Sequence, residues 1–240
     1  MASARLHHAQ PASTADRLLR FDGVERTVHW VNAALFLILI LTGAALYFTP
    51  LISLLGRRYL ILQIHLYTGL ALPLPLCAAI AGSWGRQLRR DISAINRWSE
   101  ADRAWLRQAL RAERMDRTSQ AGGAGVPFSA GIRRASPPAL GKFNPGQKLN
   151  AAFLAGGALV MLGTGCLLRW YQPFPLSWRA GATFVHNWLA LVLFLVICGH
   201  IAFALAHRES LRSMLFGRIN RRWAESHAPA WLDEQSRERT

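Results

Sequence analysis

The sequence predicts an all-α membrane protein, a bundle of four transmembrane helices with both termini cytoplasmic, on three observations. Only 17% of the 240 residues are charged, against roughly 25% in soluble domains. Four segments contain no Asp, Glu, Lys or Arg: Val28 to Phe48, Tyr59 to Trp84, Leu149 to Leu168 and Ala182 to Ala206. Their lengths, 21, 26, 20 and 25 residues, each reach the roughly 20 residues that a helix needs to cross a bilayer. All 41 charges crowd into the remaining 148 positions, which excludes a soluble single-core domain. The third observation is where the basic residues fall. Of 28 Lys and Arg, 24 lie in the N-terminal tail, the long connection 85–148 and the C-terminal tail, and the two short alternate connections hold only Arg57, Arg58, Arg169 and Arg179. The positive-inside rule then puts both tails and the long connection on the cytoplasmic side of the membrane. All 13 acids share that side, so the net charge of +15 reads as topogenic and lipid-facing, with no nucleic-acid partner implied.

The expected layout is a cytoplasmic tail 1–27, a membrane domain 28–206 interrupted by the connection 85–148, and a cytoplasmic tail 207–240. The N-terminal tail has no apolar run and no small-residue cleavage site, so the first segment is its own insertion signal. In the second segment, Pro73 and Pro75 should bend the helix. In the connection, Ile92, Ile95, Trp98, Trp105, Leu106 and Leu110 recur at roughly helical spacing, predicting one amphipathic helix over Asp91 to Met115, lying on the membrane surface or against a partner. The stretch Thr118 to Leu140 is rich in Gly, Ser, Ala and Pro and reads as a flexible loop. The three cysteines, Cys77, Cys166 and Cys198, sit within membrane segments without CxxC or CxxCH spacing and read as packing residues.

Four of the eight histidines, His29, His65, His186 and His200, fall within the membrane segments. Imidazoles in hydrocarbon are costly and point to function. The first segment runs outward, so His29 lies at the inner face. The second and fourth begin outside, which puts His65 and His186 near the outer face. His200 is fourteen residues beyond His186, about 21 Å deeper and within roughly 40° of the same helix face. The depths pair His65 with His186 and His29 with His200. Two facing pairs of neutral imidazoles suit two b-type haems, each iron held from both sides. Gly43 at the outer level and Ala79 at the inner level would allow close backbone approach, although small residues are common at membrane helix interfaces generally. A rival use as a zinc site or proton relay would call for further Cys, carboxylate or charged residues in the membrane, and the segments have no such charge.

The motifs ERTVHW (Glu25 to Trp30), QIHLYTG (Gln63 to Gly69), GKFNPGQK (Gly141 to Lys148) and the H-x13-H spacing of the fourth segment together resemble the gamma subunits of membrane-bound formate dehydrogenases, dihaem cytochrome b anchors. The resemblance covers about Arg20 to Phe216, and GKFNPGQK is its most specific part. It implies an iron–sulfur beta subunit and a molybdenum or tungsten catalytic alpha subunit on the outer side. Electrons would enter at the haem of His65 and His186, pass to that of His29 and His200, and reduce a quinone, menaquinone or ubiquinone, near the cytoplasmic face. The resemblance carries the quinone site onto Asn144, Gly146, Gln147 and His200. The same FNPGQ also reads as a helix start, with Asn144 as cap and Pro145 as first helical residue. The sequence departs from the family in the Gly/Ser/Pro-rich stretch, which lengthens the connection. The anchor of another oxidoreductase, of hydrogenase or thiosulfate reductase type, and a haem-free transporter are the alternative readings. Nothing in this chain could itself oxidise formate.

Overall fold

A computed structural model describes residues 17–121 and 138–237, without the side chains of 113–121. Of the flexible loop expected over 118–140, residues 122–137 lie outside the described residues and 138–140 are irregular, but 118–121 are helical, continuing the helix Glu100–Ala121 beyond where the Gly/Ser composition suggested it would stop. Four helical spans are long and apolar enough to cross a membrane. The first, α1 (Gly23–Tyr47), is followed by the short α2 (Thr49–Leu55). The second span comprises α3 (Arg58–Ala71) and α4 (Leu74–Ala81). After α5 (Arg86–Asn96) and α6 (Glu100–Ala121) come the third span, α7 (Pro145–Arg169), and the fourth, α8 (Leu176–Ala206). Leu41, Leu159 and Leu195 are each more than half exposed; apolar side chains on the outside of the bundle are what a hydrocarbon solvent requires.

All four spans begin earlier than the charge-free segments, the second by a single residue, because charge was the boundary signal and helices here extend past charged residues; Glu25 and Lys148 do so by pairing with buried partners. The first starts at Gly23, where Asp22 caps the helix by accepting from the Glu25 N–H at 2.8 Å while the Asp22 N–H donates to the Glu25 carboxylate at 2.8 Å. The third starts at Pro145, behind a matching box in which Asn144 accepts from the Gln147 N–H at 2.9 Å and donates its own N–H to the Gln147 side chain at 3.1 Å. Such a box satisfies two of the orphan donors of a helix start. The fourth starts at Leu176, behind Pro175.

The second span breaks at Leu72 and Pro73, as its prolines predict: Pro73 has no N–H to continue the ladder. It ends at Ala81 rather than Trp84. The chain turns through Ser83–Gly85, where a Cβ on Gly85 would lie 1.7 Å from the Ala79 carbonyl oxygen. Only glycine fits there.

The single amphipathic helix expected over Asp91 to Met115 is two helices, α5 and α6, parted at Arg97–Ser99. Ser99 and Asp102 cap each other: Asp102 accepts from the Ser99 N–H at 2.8 Å and its own N–H donates to the Ser99 hydroxyl at 3.2 Å. Lys148 holds the corner, donating to the freed Arg97 carbonyl at 2.8 Å and to Asp102 at 2.8 Å.

Beyond the bundle are α9 (Arg208–Phe216), α10 (Arg221–His227) and α11 (Pro229–Arg237). The strands β1 (Arg17–Leu19) and β2 (Arg218–Asn220) pair antiparallel, with Leu18 opposite Ile219. The membrane body is all-α, and this ribbon is an addition that the sequence did not foretell. It closes over Leu18, Ile219, Ala224, Ala228 and Trp231 and ties both end segments to one side of the bundle, called here the tail side.

Candidate cofactor site

The bundle consists chiefly of two antiparallel hairpins, α1 against α3 and α7 against α8. They bring the four membrane histidines together in two pairs. His65 on α3 faces His186 on α8 with ring centroids 6.3 Å apart and planes at 67°. His29 on α1 faces His200 on α8 at 6.3 Å and 57°, at the tail side.

The spacing tests what could lie between them. A metal bonded to imidazole nitrogen at about 2.0 Å on each side, with that nitrogen about 1.15 Å from its ring centroid, separates two centroids by about 6.3 Å. Both pairs match this value. Among the described residues, no group of three or more His, Cys, Asp or Glu gathers. Each pair therefore offers imidazoles from two helices and, among the described residues, no third such donor, a set that would fit a haem iron and does not fit a four-ligand zinc site.

Around His65 and His186 the surroundings repeat. The Thr42 hydroxyl lies 2.8 Å from Nδ1 of His65, and the Thr164 hydroxyl 2.9 Å from Nδ1 of His186. The next residue is glycine in both cases. A Cβ on Gly43 would stand 3.4 Å from Cε1 of His65, and one on Gly165 would stand 3.4 Å from Cε1 of His186. Gly43 thus lies at the level of this pair, as its spacing implied, with its backbone close to the His65 ring. Thr42, Thr164 and Gly165 were missed, although the doubled Thr-Gly dipeptide, 23 and 22 residues ahead of the two histidines, was visible in the sequence.

The tail-side pair is less symmetric. The Asn150 amide is 3.5 Å from Nδ1 of His200, and Trp30 stands edge-on to His29 at 5.3 Å. Ala79, expected at this level as a small interface residue, is fully buried beneath the Gly85 turn. Asn144, Gly146 and Gln147 open α7 at the tail side, and Gln147 lies one turn before Asn150 on the same face. A Cβ on Gly146 would be 3.4 Å from Oδ1 of Asn144 and 3.9 Å from Trp105. Asn144 and Gln147 form the helix cap, one of the two readings their sequence allowed. Their cap contacts use the Asn144 and Gln147 side-chain oxygens, so both amide NH2 groups keep their donors.

Both lysines of GKFNPGQK are buried in ion pairs that seat this segment. Lys142 meets Asp91 at 2.5 Å and Glu25 at 3.5 Å, and Lys148 meets Asp102 at 2.8 Å. Burial alone would raise the Asp102 pKa, but hydrogen bonds from Lys148 and Ser99 hold it below the usual aspartate value. Arg20 donates to the Lys142 carbonyl at 3.1 Å, and burial, opposed by Asp91, lowers its pKa to about 10.

A family model described as prokaryotic cytochrome b561 matches residues 20–217. The cytochrome b556(Fdn) subunit of nitrate-inducible formate dehydrogenase from Escherichia coli strain K12 is 32% identical over 98 residues, 40% of this chain and 45% of that relative's length. The match thus spans under half of that relative. The formate dehydrogenase cytochrome b556 subunit of Haemophilus influenzae is 24% identical over 93% of this chain and 85% of its own. The cytochrome b556(fdo) subunit of Escherichia coli strain K12 is 24% identical over 91% of this chain and 93% of its own.

Proposed function

We propose, from the premise that the chain belongs to the prokaryotic cytochrome b561 family, that it is the cytochrome b anchor of a formate dehydrogenase complex, carrying electrons from an iron–sulfur subunit through two haems b to a quinone. The observation that carries this reading is the two histidine pairs at 6.3 Å, about 21 Å apart along α8. Haem b, when bound, supplies a one-electron couple whose potential follows from burial and hydrogen bonding. His65 and His186 would hold the haem that faces the partner subunits, and His29 and His200 the one on the tail side. The basic surplus on that side supports a cytoplasmic location for both termini in the bacterial inner membrane. The domain layout follows: a four-helix membrane body, with the tails and the connection on its cytoplasmic face.

The quinone would bind at the tail side, near His200, on the free amide donors of Asn144 and Gln147 and the open backbone at Gly146. The Asn150 contact supports this placement, because it holds the first turns of α7 against His200. The polar segment there also gives protons a route from water.

The decisive measurement is a reduced-minus-oxidised spectrum of the purified chain with haem b counted per polypeptide. Two low-spin haems are expected, and a folded sample without haem would defeat the reading. In the assembled complex formate must reduce both haems; reduction by another donor alone would assign the anchor to a different oxidoreductase. Asn144→Asp keeps an acceptor for the cap and loses the amide donor. It should retain both haems and lose quinone reduction, and full quinone activity in that variant would remove Asn144 from the site.

A further inference from the structure

The Thr42 and Thr164 hydroxyls form a matched pair whose job is set by hydrogen counting. A threonine hydroxyl has one hydrogen to give. Thr42 Oγ1 lies 2.6 Å from the Ile38 carbonyl oxygen and 3.3 Å from that of Leu39. Thr164 Oγ1 lies 2.8 Å from the Val160 carbonyl oxygen and 3.2 Å from that of Met161. In both, the hydrogen belongs to the preceding turn of the helix, the ordinary use of a mid-helix threonine. What remains for the histidine is a lone pair. The hydroxyl therefore accepts, and Nδ1 of His65 and of His186 carries the proton. Nε2 of each ring is left unprotonated, and among the described residues it has no hydrogen-bond partner.

We propose that Thr42 and Thr164 are positioning residues for the outer cofactor: they fix His65 and His186 in the Nε2-ligating tautomer and strengthen both as donors to a haem iron. This rests on the dihaem reading above. The adjacent Gly43 and Gly165 belong to the same device, because each lets its helix approach the ring to 3.4 Å and so brings the hydroxyl within reach. The arrangement occurs on two helices that contribute to one pair. The tail-side pair has no counterpart: His200 has only the Asn150 amide at 3.5 Å, and no hydrogen bond reaches His29 among the described residues. The two haems should therefore differ in how firmly their ligands are held. A hydrogen bond accepted from Nδ1–H raises imidazole basicity and favours the ferric form, and losing it should raise the potential of the outer haem.

The test uses Thr42→Val and Thr164→Val, which keep the branched shape and lose the acceptor, and Thr42→Ser and Thr164→Ser, which keep it. All are made in the intact membrane complex and read by redox titration of the b bands, by low-temperature EPR of the ferric haems, and by the rate of haem loss to apomyoglobin. Each valine variant should raise the midpoint potential of one haem component and shift its low-spin signal. Haem loss from that component should quicken by about 10 to 100-fold, the usual cost of removing a partner that orients a ligating histidine. The other component serves as internal control, and serine should restore all three values. Two haem signals that stay unmoved in both valine variants would overturn the inference and leave the dihaem reading standing. Equal movement of both signals would also overturn it, since that reports general packing. A wild-type complex without two low-spin b haems would overturn the dihaem reading and this inference with it.

Discussion

Lys142→Met tests whether the motif that opens α7 is seated by charge. The lysine side chain is 6% exposed, and its partners Asp91 and Glu25 are 7% and 4% exposed. Methionine keeps the aliphatic reach over the rings of Phe21 and Phe143, which the ammonium approaches at 4.8 and 5.5 Å. What is lost is a cation that bonds two buried acidic side chains, Asp91 and Glu25. Removing one partner of a buried ion pair costs about 3–5 kcal/mol, because the remaining charge is stranded. For a chain of this size each kcal/mol lowers the melting temperature by about 2–4 °C, so a fall of about 6–20 °C is expected.

Cys77 and Cys198, expected as packing residues, are exposed on the bundle and Cys166 is half-buried, so a thiol-reactive dye would not report the unfolding cleanly; loss of helical circular dichroism on heating in detergent does. Asp91→Asn should cost less, since Lys142 keeps Glu25 and the new amide oxygen still accepts. Adding Asp91→Asn to Lys142→Met should recover part of the loss, and the resulting double-mutant cycle should show coupling above about 0.5 kcal/mol. A Lys142→Met protein melting within 2 °C of wild type, a threshold well below the loss expected for a stranded buried charge, would refute the reasoning, and so would strictly additive single variants.

Two glycines separate backbone clashes from side-chain clashes. Gly85→Ala puts a methyl group 1.7 Å from the Ala79 carbonyl oxygen, which cannot yield, so the turn after α4 should not form and little folded protein should be recovered from membranes. Gly157→Ala meets only the flexible end of Leu193 at 2.8 Å; it should fold with an overpacking cost of about 1–3 kcal/mol, seen as a modest drop in melting temperature. Asp102, held below its usual pKa, stabilises the fold above pH 3.8 and loses that contribution as the pH falls through its lowered value. The stability gap between wild type and Asp102→Asn should therefore stay flat from about pH 5 to 8 and close only in stronger acid; a gap closing near pH 6 would contradict the assignment.

The spans were legible because a bilayer demands long runs without charge, and the pairing of the histidines followed from depth along antiparallel helices. The ends of those helices were not legible, since composition cannot distinguish a paired charge from a solvated one. Glu25 and Lys148 each looked like a boundary, yet each is buried inside a helix by a partner far away in sequence. The break at Arg97–Ser99 was hidden because apolar residues keep helical spacing across it; the reciprocal Ser99–Asp102 cap is what decides. Strands of three residues, such as Arg17–Leu19, are too short for a period and depend on a partner some 200 residues away.

The two hairpins are also built on one pattern, and its failure at the tail side is informative. In each, the helix that leads away from the tail side presents Thr-Gly and the returning helix presents a histidine to it, which makes the pair far from the tails symmetric: His65 from one hairpin and His186 from the other. Continuing the pattern would put residues fourteen beyond each histidine in equivalent places, but these are Ala79 and His200. The second span is interrupted at Leu72 and Pro73 between His65 and Ala79, and Ala79 is packed under the Gly85 turn. The partner of His200 comes from the first helix of the other hairpin, as His29 on α1. On α7 the place equivalent to His29 is Ala151, which frees this end of the helix from ligating duty. That freed end carries Asn150 beside His200 and the Asn144–Gln147 cap one turn further out. With Ala79 at the place a second-span histidine would take, the tail-side pair is completed from the other hairpin by His29 on α1, and the start of α7 is left to carry Asn150 beside His200 and the Asn144–Gln147 cap.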